Sequence, residues 1–144
     1  MNRKKKGYEY LAHTADAKFR AYGQTLEEAF GNAALALFNL FTDPEKVKSR
    51  IEHNVSIKAR RKESLLFDFL SELLFLIDAE DFLLAGVGKI SIREESGGFR
   101  LEAGLLGDNL RGYDIHGHVK AVTYNEMIIS EDENGWALQV VLDI

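Results

Sequence analysis

The chain has 144 residues, about the size of one domain, and its 46% hydrophobic and 28% charged residues are typical of soluble globular proteins. Its 18 basic and 23 acidic residues give a net charge of −5, which disfavours DNA or other duplex binding through bulk charge. The sequence contains no cysteine, which excludes disulfides, thiolate nucleophiles and iron–sulfur clusters.

The start of the chain has no predicted targeting segment. Met1–Lys6 is basic. The segment that follows, Gly7–Leu11, is too short and too polar to be the apolar core of a signal peptide. The longest apolar run, Leu65–Ile77, is interrupted by polar residues and falls short of the roughly 20 residues that span a bilayer. We therefore expect a single domain over residues 1–144, a cytoplasmic location and no membrane partner.

Two segments have the apolar periodicity of helices. The first begins at a capping box, in which the Thr25 hydroxyl accepts from the third helical N–H and Glu28 reaches back to Thr25. We expect it to end at Asp43-Pro44, because a proline disfavours helical geometry in the residue before it. The second helix, about Ser64–Asp78, is apolar on most sides. This pattern is typical of a helix that packs against a sheet on one side and against the first helix on another.

The remaining elements are strands and turns. Strands are predicted at Tyr8–Leu11, Ala17–Tyr22, Arg50–Arg60, Val87–Arg93, Phe99–Leu106, Val119–Ile129 and Trp136–Asp143. Turn residues Ser96-Gly97-Gly98 and Asn134-Gly135 favour hairpins and therefore antiparallel pairing, and Gly107–Gly112 is expected to be an exposed loop. The fold class predicted is α+β with two layers, a curved, mostly antiparallel sheet carrying both helices on one face.

Three patterns give weak functional signals. Ala85–Lys89 resembles a phosphate loop but leads into a strand, so no helix N-terminus is available to an anion. His116 and His118 share a face if extended and could bind a transition metal, although paired loop histidines are more often solvated. The basic clusters Arg3–Lys6 and Lys58–Lys62 could contact RNA phosphates, but no aromatic residues are interleaved for base stacking.

The acidic end of the chain is more informative. Alternation along Trp136–Ile144 turns Asp143 away from the apolar face and places it beside the Ile144 carboxylate. Two anionic oxygen groups held together attract a hard cation such as Ca²⁺ or Mg²⁺. A third carboxylate is available at Asp16, in a tight link between the first two predicted strands.

Several motifs, in order and at similar spacing over nearly the whole chain, resemble the archease family. They are His13-Thr14-Ala15-Asp16 with Arg20-Ala21-Tyr22-Gly23, Thr25-Leu26-Glu27-Glu28-Ala29-Phe30, Phe69-Leu70-Ser71-Glu72-Leu73-Leu74, Val119-Lys120-Ala121-Val122-Thr123-Tyr124 and Leu142-Asp143-Ile144. One departure is Asn125, where the family commonly has His after the Thr-Tyr pair.

The resemblance implies a protein cofactor of an RtcB-type RNA ligase, which joins tRNA halves after intron removal. Such a protein promotes guanylylation of the ligase and its multiple turnover, and has no catalytic residues of its own. The family's divalent-metal site is carried over to Asp16, Asp143 and the Ile144 carboxylate, with Ca²⁺ or Mg²⁺ as the expected ion. His13, Lys120 and Thr123 are expected at the partner surface, with indirect contact with tRNA.

Two other functions remain open from the residues alone. The same ion could activate water in a free-standing phosphoesterase, for which His13 is the only nearby candidate base. An RNA-binding or chaperone module is also conceivable, although the acidic charge balance disfavours it.

Overall fold

The computed structural model describes residues 7–13 and 16–144. It has two α-helices, α1 (Leu26–Phe38) and α2 (Lys62–Glu80), and a 3-10 turn at Pro44–Lys46. Its strands are β1 (Tyr8–Leu11), β2 (Ala17–Gly23), β3 (Ile51–Ala59), β4 (Phe82–Glu95), β5 (Gly98–Asn109), β6 (Ala121–Val122), β7 (Ile128–Asp132) and β8 (Gly135–Asp143).

Helix α1 begins as its sequence predicts and ends earlier. The Thr25 hydroxyl accepts a hydrogen bond from the Glu28 N–H at 3.1 Å, and the Glu28 carboxylate accepts from the Gln24 N–H instead of from Thr25. The helix stops at Phe38, and the expected end at Asp43-Pro44 is wrong because a buried turn intervenes. That turn keeps Phe41 in the core, with its ring 5.9 Å from that of Phe38.

The strands form two antiparallel sheets. In the first, β1, β2 and β8 lie side by side, and both β6 and β7 pair with the far edge of β8. In the second, β5 lies between β3 and β4. The α+β prediction with a mostly antiparallel sheet and two helices is confirmed, although the strands divide between two sheets where one curved sheet was expected.

The predicted strand Val119–Ile129 is interrupted. Residues 123–127 leave the edge of β8 between β6 and β7 and lie over its outer face, and we call them the crossing loop. Glu126 in this loop has φ of +53°, a left-handed conformation that a strand cannot contain. Its carbonyl oxygen accepts a hydrogen bond from the buried Gln139 side chain at 2.7 Å, which replaces the lost strand pairing.

The expected loop Gly107–Gly112 is partly wrong as well, because β5 continues to Asn109. Gly107 is buried opposite β4, where an added Cβ would overlap the Leu83 carbonyl oxygen. A glycine here therefore reflects the close approach of two strands rather than a flexible turn.

Both helices contact strands of both sheets, and the core lies among them. Its largest fully buried side chains are Phe19, Phe30, Phe38, Phe69, Phe82, Leu37, Leu65, Leu66, Leu70, Leu73, Leu83 and Leu84. Neither helix is long and apolar enough to cross a membrane.

Candidate functional site

Two of the predicted site residues, Asp16 and Asp143, lie at the same end of the first sheet. Strand β2 pairs with β8 so that Ala17 lies opposite Leu142. Because the pairing is antiparallel, Asp16, directly before β2, continues the register next to Asp143, the last residue of β8. The fold therefore brings these two aspartates to neighbouring backbone positions, with Ile144 one residue further.

The Lys120 motif reaches the same end of β8 from the other side. Ala121 of β6 pairs with Asp143, and the Lys120 N–H donates to the Asp143 carbonyl oxygen at 2.7 Å. Asp143 is thus held between the two motifs that flank it in space, and Lys120 is exposed beside it.

Thr123 uses its side chain for hydrogen bonds within the protein. Its hydroxyl donates to the Val141 carbonyl oxygen at 2.7 Å and accepts from the Asn125 N–H at 3.2 Å. These bonds fix the point at which the chain leaves β8 and enters the crossing loop.

A cluster of charged side chains joins the crossing loop to β2 across β8. Glu126 Oε1 accepts from Lys18 Nζ at 2.9 Å, and Glu126 Oε2 lies 3.0 Å from His13 Nε2. The other ring nitrogen of His13, Nδ1, lies 3.4 Å from Asp16 Oδ2. The cluster thus connects Glu126 to Asp16 through one imidazole.

The electrostatics of this cluster favour an ionised Glu126. Hydrogen bonds from Lys18 and then His13, together with their positive charge, lower the pKa of Glu126 to about 2. At neutral pH its carboxylate is an acceptor only, so the groups that face it must donate.

Asp143 lacks such neutralisation. It is exposed at the end of β8, and within residues 7–13 and 16–144 no cationic side chain forms an ion pair with it. In that same part of the chain, no three His, Asp or Glu side chains lie close enough together to hold a metal ion. A metal ion bound by Asp16 and Asp143 therefore needs a third ligand, and the carboxylate of Ile144 is the adjacent group.

The donor chemistry at this end of β8 fits a divalent cation. Asp16, Asp143 and the Ile144 carboxylate are oxygen donors, which hard divalent ions prefer. His13 Nδ1 is a buried polar atom without a hydrogen-bond partner, facing Asp16. An unpartnered buried polar atom beside a carboxylate is one environment that a bound cation would satisfy.

Comparison with known proteins identifies the family. The sequence model described as "Archease protein family (MTH1598/TM1083)" matches residues 8–144. The chain belongs to the archease family. It is 43% identical to Protein archease of Methanosarcina barkeri over 146 residues, covering 100% of both chains. It is 38% identical to Protein archease of Pyrococcus furiosus, covering 95% of this chain and 98% of that protein.

A solved structure agrees with this archease assignment. The solution structure of Methanobacterium thermoautotrophicum protein 1598 is similar to the chain with a TM-score of 0.83 and 38% sequence identity. The similarity covers 96% of this chain and 99% of that one. The resemblance read from the sequence motifs is therefore confirmed at the level of the family and of the fold.

The other sequence signals do not converge on this site. His116 and His118 are exposed on the segment after β5, and the phosphate-loop-like Ala85–Lys89 lies within β4. In the basic cluster Lys58–Lys62, the Lys62 ammonium lies 5.2 Å from the Phe99 ring centre and 5.6 Å from that of Trp136. Its positive charge is thus already in contact with two aromatic rings of the protein. The other cluster, Arg3–Lys6, lies outside the described residues.

Sequence reasoning missed two residues of the charged cluster, and also Gln139, which holds the crossing loop. Lys18 lies in the predicted strand Ala17–Tyr22 and Glu126 in the predicted strand Val119–Ile129, and charged residues are common in both kinds of position. Gln139 is a polar residue in an apolar segment. A buried polar residue needs a partner, so Gln139 was the one detectable signal that another backbone segment crosses β8.

Proposed function

We propose that this archease activates an RtcB-type RNA ligase in the cytoplasm, promoting the ligase's guanylylation and multiple turnover without catalysing a reaction itself. Family membership over residues 8–144 supports the class of function. The observation that carries the site is the β2–β8 register, which brings Asp16 to Asp143 at the end of the chain.

We further propose that Asp16, Asp143 and the Ile144 carboxylate together bind one divalent cation, Ca²⁺ or Mg²⁺. Three carboxylates at one place repel one another, so the site is stabilised when a cation joins them. When bound, the ion supplies a fixed positive charge for an anionic group of the partner. The chain's own contribution is to hold Asp16 and Asp143 at the adjoining ends of β2 and β8.

The surface around this site is the proposed ligase contact. Lys120 is exposed on one side of Asp143, and the crossing loop presents the exposed Tyr124 and Asn125 on the same edge of β8. The Tyr124 ring is supported from behind by Phe67 of α2, with ring centres 4.2 Å apart and planes at 7°. Such a supported ring keeps its orientation, which lowers the entropy lost on binding. Contact with tRNA would be indirect, through the ligase.

The test is a ligation assay with a cognate RtcB-type ligase at substoichiometric concentration. We expect the wild-type protein to convert one round of ligation into many, and Asp16→Asn to lose this effect. Asp78→Asn is the matched control, because Asp78 is exposed on α2 and makes no hydrogen bond or ion pair with the described residues. Equal activation by Asp16→Asn and wild type would contradict the metal site, and no activation by wild type would contradict the function.

A phosphodiester hydrolysis assay with the purified protein and Mg²⁺ distinguishes the alternative function, a free-standing phosphoesterase, from ligase activation. In this structure His13, its candidate base, already contacts Glu126 and Asp16. We expect no turnover above the Asp16→Asn background.

A further inference from the structure

The second sheet has one regular edge strand. Strand β3 lies at the edge of this sheet, and among the described residues it pairs only with β5. Its register with β5 is continuous over all 9 residues, and it contains neither proline nor glycine. The other side of β3 therefore presents a row of backbone N–H and C=O groups that no strand of the described chain uses. Such a row is a template for a further strand.

The opposite edge of the same sheet is protected. Strand β4 is interrupted by two register shifts between Leu84 and Lys89. Further along β4, the Ile92 N–H donates to the Glu27 side chain at 3.3 Å, so a side chain covers part of this edge. Bulges and covering groups are common means of preventing edge strands from pairing with other chains. The register of β3 shows no such interruption.

The outer face of β3 carries two opposite charges without partners. Glu52 and Lys58 are both exposed, and among the described residues neither forms an ion pair. They cannot pair with each other, because six residues of extended strand span about 20 Å. Val55, the middle residue of β3, lies at an equal distance along the strand from each of them.

This spacing makes β3 complementary to itself. A two-fold axis perpendicular to the sheet beside Val55 sets β3 of a second copy antiparallel to the first, with all 9 residues paired. Glu52 of each copy then lies opposite Lys58 of the other, and Asn54 lies opposite Ser56. Opposite charges at directly opposed positions stabilise strand pairing.

The register centred on Val55 is also the longest one. Moving the axis by one residue leaves the last two or the first two residues of each β3 unpaired, and these include Lys58 in one direction and Glu52 in the other. Backbone overlap and charge pairing therefore favour the same register. Just beyond the strand Arg50 faces Arg60 of the second copy, but the Arg50 guanidinium already lies 3.6 Å from the Asp108 carboxylate.

We propose that two copies of this chain associate through the β3 edge, joining their three-stranded sheets into one continuous sheet across a two-fold axis beside Val55. The association is reversible, because the pairing of one strand from each copy buries a small interface. Asp16 and Asp143 lie at the ends of strands of the other sheet, so each copy keeps its own candidate site and the dimer presents two.

The test is sedimentation velocity of the full-length protein at increasing concentration and low ionic strength. We expect the wild type to form dimers, and Glu52→Lys and Lys58→Glu each to weaken dimerisation about tenfold, because each sets like charges opposite one another. The double variant, which exchanges the two charges, should recover the wild-type dissociation constant to within about threefold. Glu94→Lys is the matched control, since Glu94 is exposed on β4 and the change in charge is the same.

Hydrogen exchange of the same samples locates the interface. We expect amide exchange in β3 to slow as the protein concentration rises, and exchange in β4 to stay the same. A protein that is monomeric at every concentration overturns the proposal. A dimer that Glu52→Lys leaves unchanged, or that the double variant does not restore, forms through another surface and also overturns it. Protection of β3 only when a ligase is added would show that a strand of the ligase occupies the edge in place of a second copy.

Discussion

Glu126 and Lys18 form an ion pair, with Nζ 2.9 Å from Oε1, across the strand that separates them. Lys18 belongs to β2 on one side of β8, and Glu126 follows β6 on the other. The pair therefore anchors the crossing loop to the strand that begins beside Asp16. Beneath the loop, Val141 is only 1% exposed although it lies outside the main core cluster, so the loop also shields part of the outer face of the sheet.

The first prediction concerns acid pH. The pKa of Glu126 is lowered to about 2 in the folded protein from its ordinary value of 4.5, chiefly by the hydrogen bond from Lys18. A lowered folded-state pKa stabilises the fold above the unfolded-state value, and that stabilisation is lost as the pH falls from about 4.5 towards 2. We expect the Glu126 side-chain carboxyl resonance to titrate well below pH 4.5, and to move upwards in Lys18→Gln, which removes the main hydrogen bond. A Glu126 resonance that titrates at the same pH in both proteins would contradict the ion pair.

The second prediction concerns the end of the chain. Extending it after Ile144 by a short Gly-Ser segment replaces the terminal carboxylate with a neutral peptide group and moves the charge away. We expect the stabilisation by a divalent ion, about 2.7 kcal/mol at a hundredfold excess over the dissociation constant for an intact site, to fall sharply. Thermal melts with and without the ion measure it. The same segment at the other end of the chain is the control, and equal metal-induced shifts in both proteins would exclude Ile144 as a ligand.

The third prediction concerns the segment between β5 and Lys120. The Tyr113 hydroxyl donates to Asp108 Oδ2 at 2.8 Å and accepts from the Lys48 N–H at 3.1 Å. The bond from Tyr113 is the main reason that the pKa of Asp108 is lowered. We expect Tyr113→Phe to lower the free energy of unfolding by about 1–3 kcal/mol and to raise the pKa of Asp108.

Chemical denaturation measures the first effect and carboxyl resonances the second. Tyr124→Phe is the control, since the Tyr124 hydroxyl makes no hydrogen bond with the described residues. Equal stability of Tyr113→Phe and wild type would show that this contact is not formed in solution.

The fourth prediction separates the core from the site. Leu70 is fully buried on α2, so Leu70→Ala leaves a cavity and is expected to cost about 2–5 kcal/mol of stability. Metal affinity at temperatures where the variant is folded should not change, because Leu70 belongs to α2 and none of the proposed ligands does. A large loss of metal affinity would show that core and site are coupled.

The sequence predicts the parts of the fold that local chemistry determines. The capping residue Thr25 and the apolar periodicity of α2 locate the helices, and the alternation of β8 places Asp143 on the outer face. The neighbouring positions of Asp16 and Asp143 also follow from the sequence, because the two residues lie at the ends of two recognisable strands.

Long-range contacts explain what the sequence does not predict. The exit of residues 123–127 from β8 depends on Gln139 and Lys18, which lie in other strands. Gly107 is typical of a turn in the sequence, but its position reflects the close approach of β4. Both errors come from tertiary contacts that override local preference.

The most direct test of the account is a crystal structure of the protein soaked in Mn²⁺, with data collected to reveal the ion by its anomalous scattering. The account predicts one peak within bonding distance of Asp16, Asp143 and the Ile144 carboxylate, at the shared end of β2 and β8. A fully soaked crystal with no peak there, or with its peak at His116 and His118 instead, would contradict it.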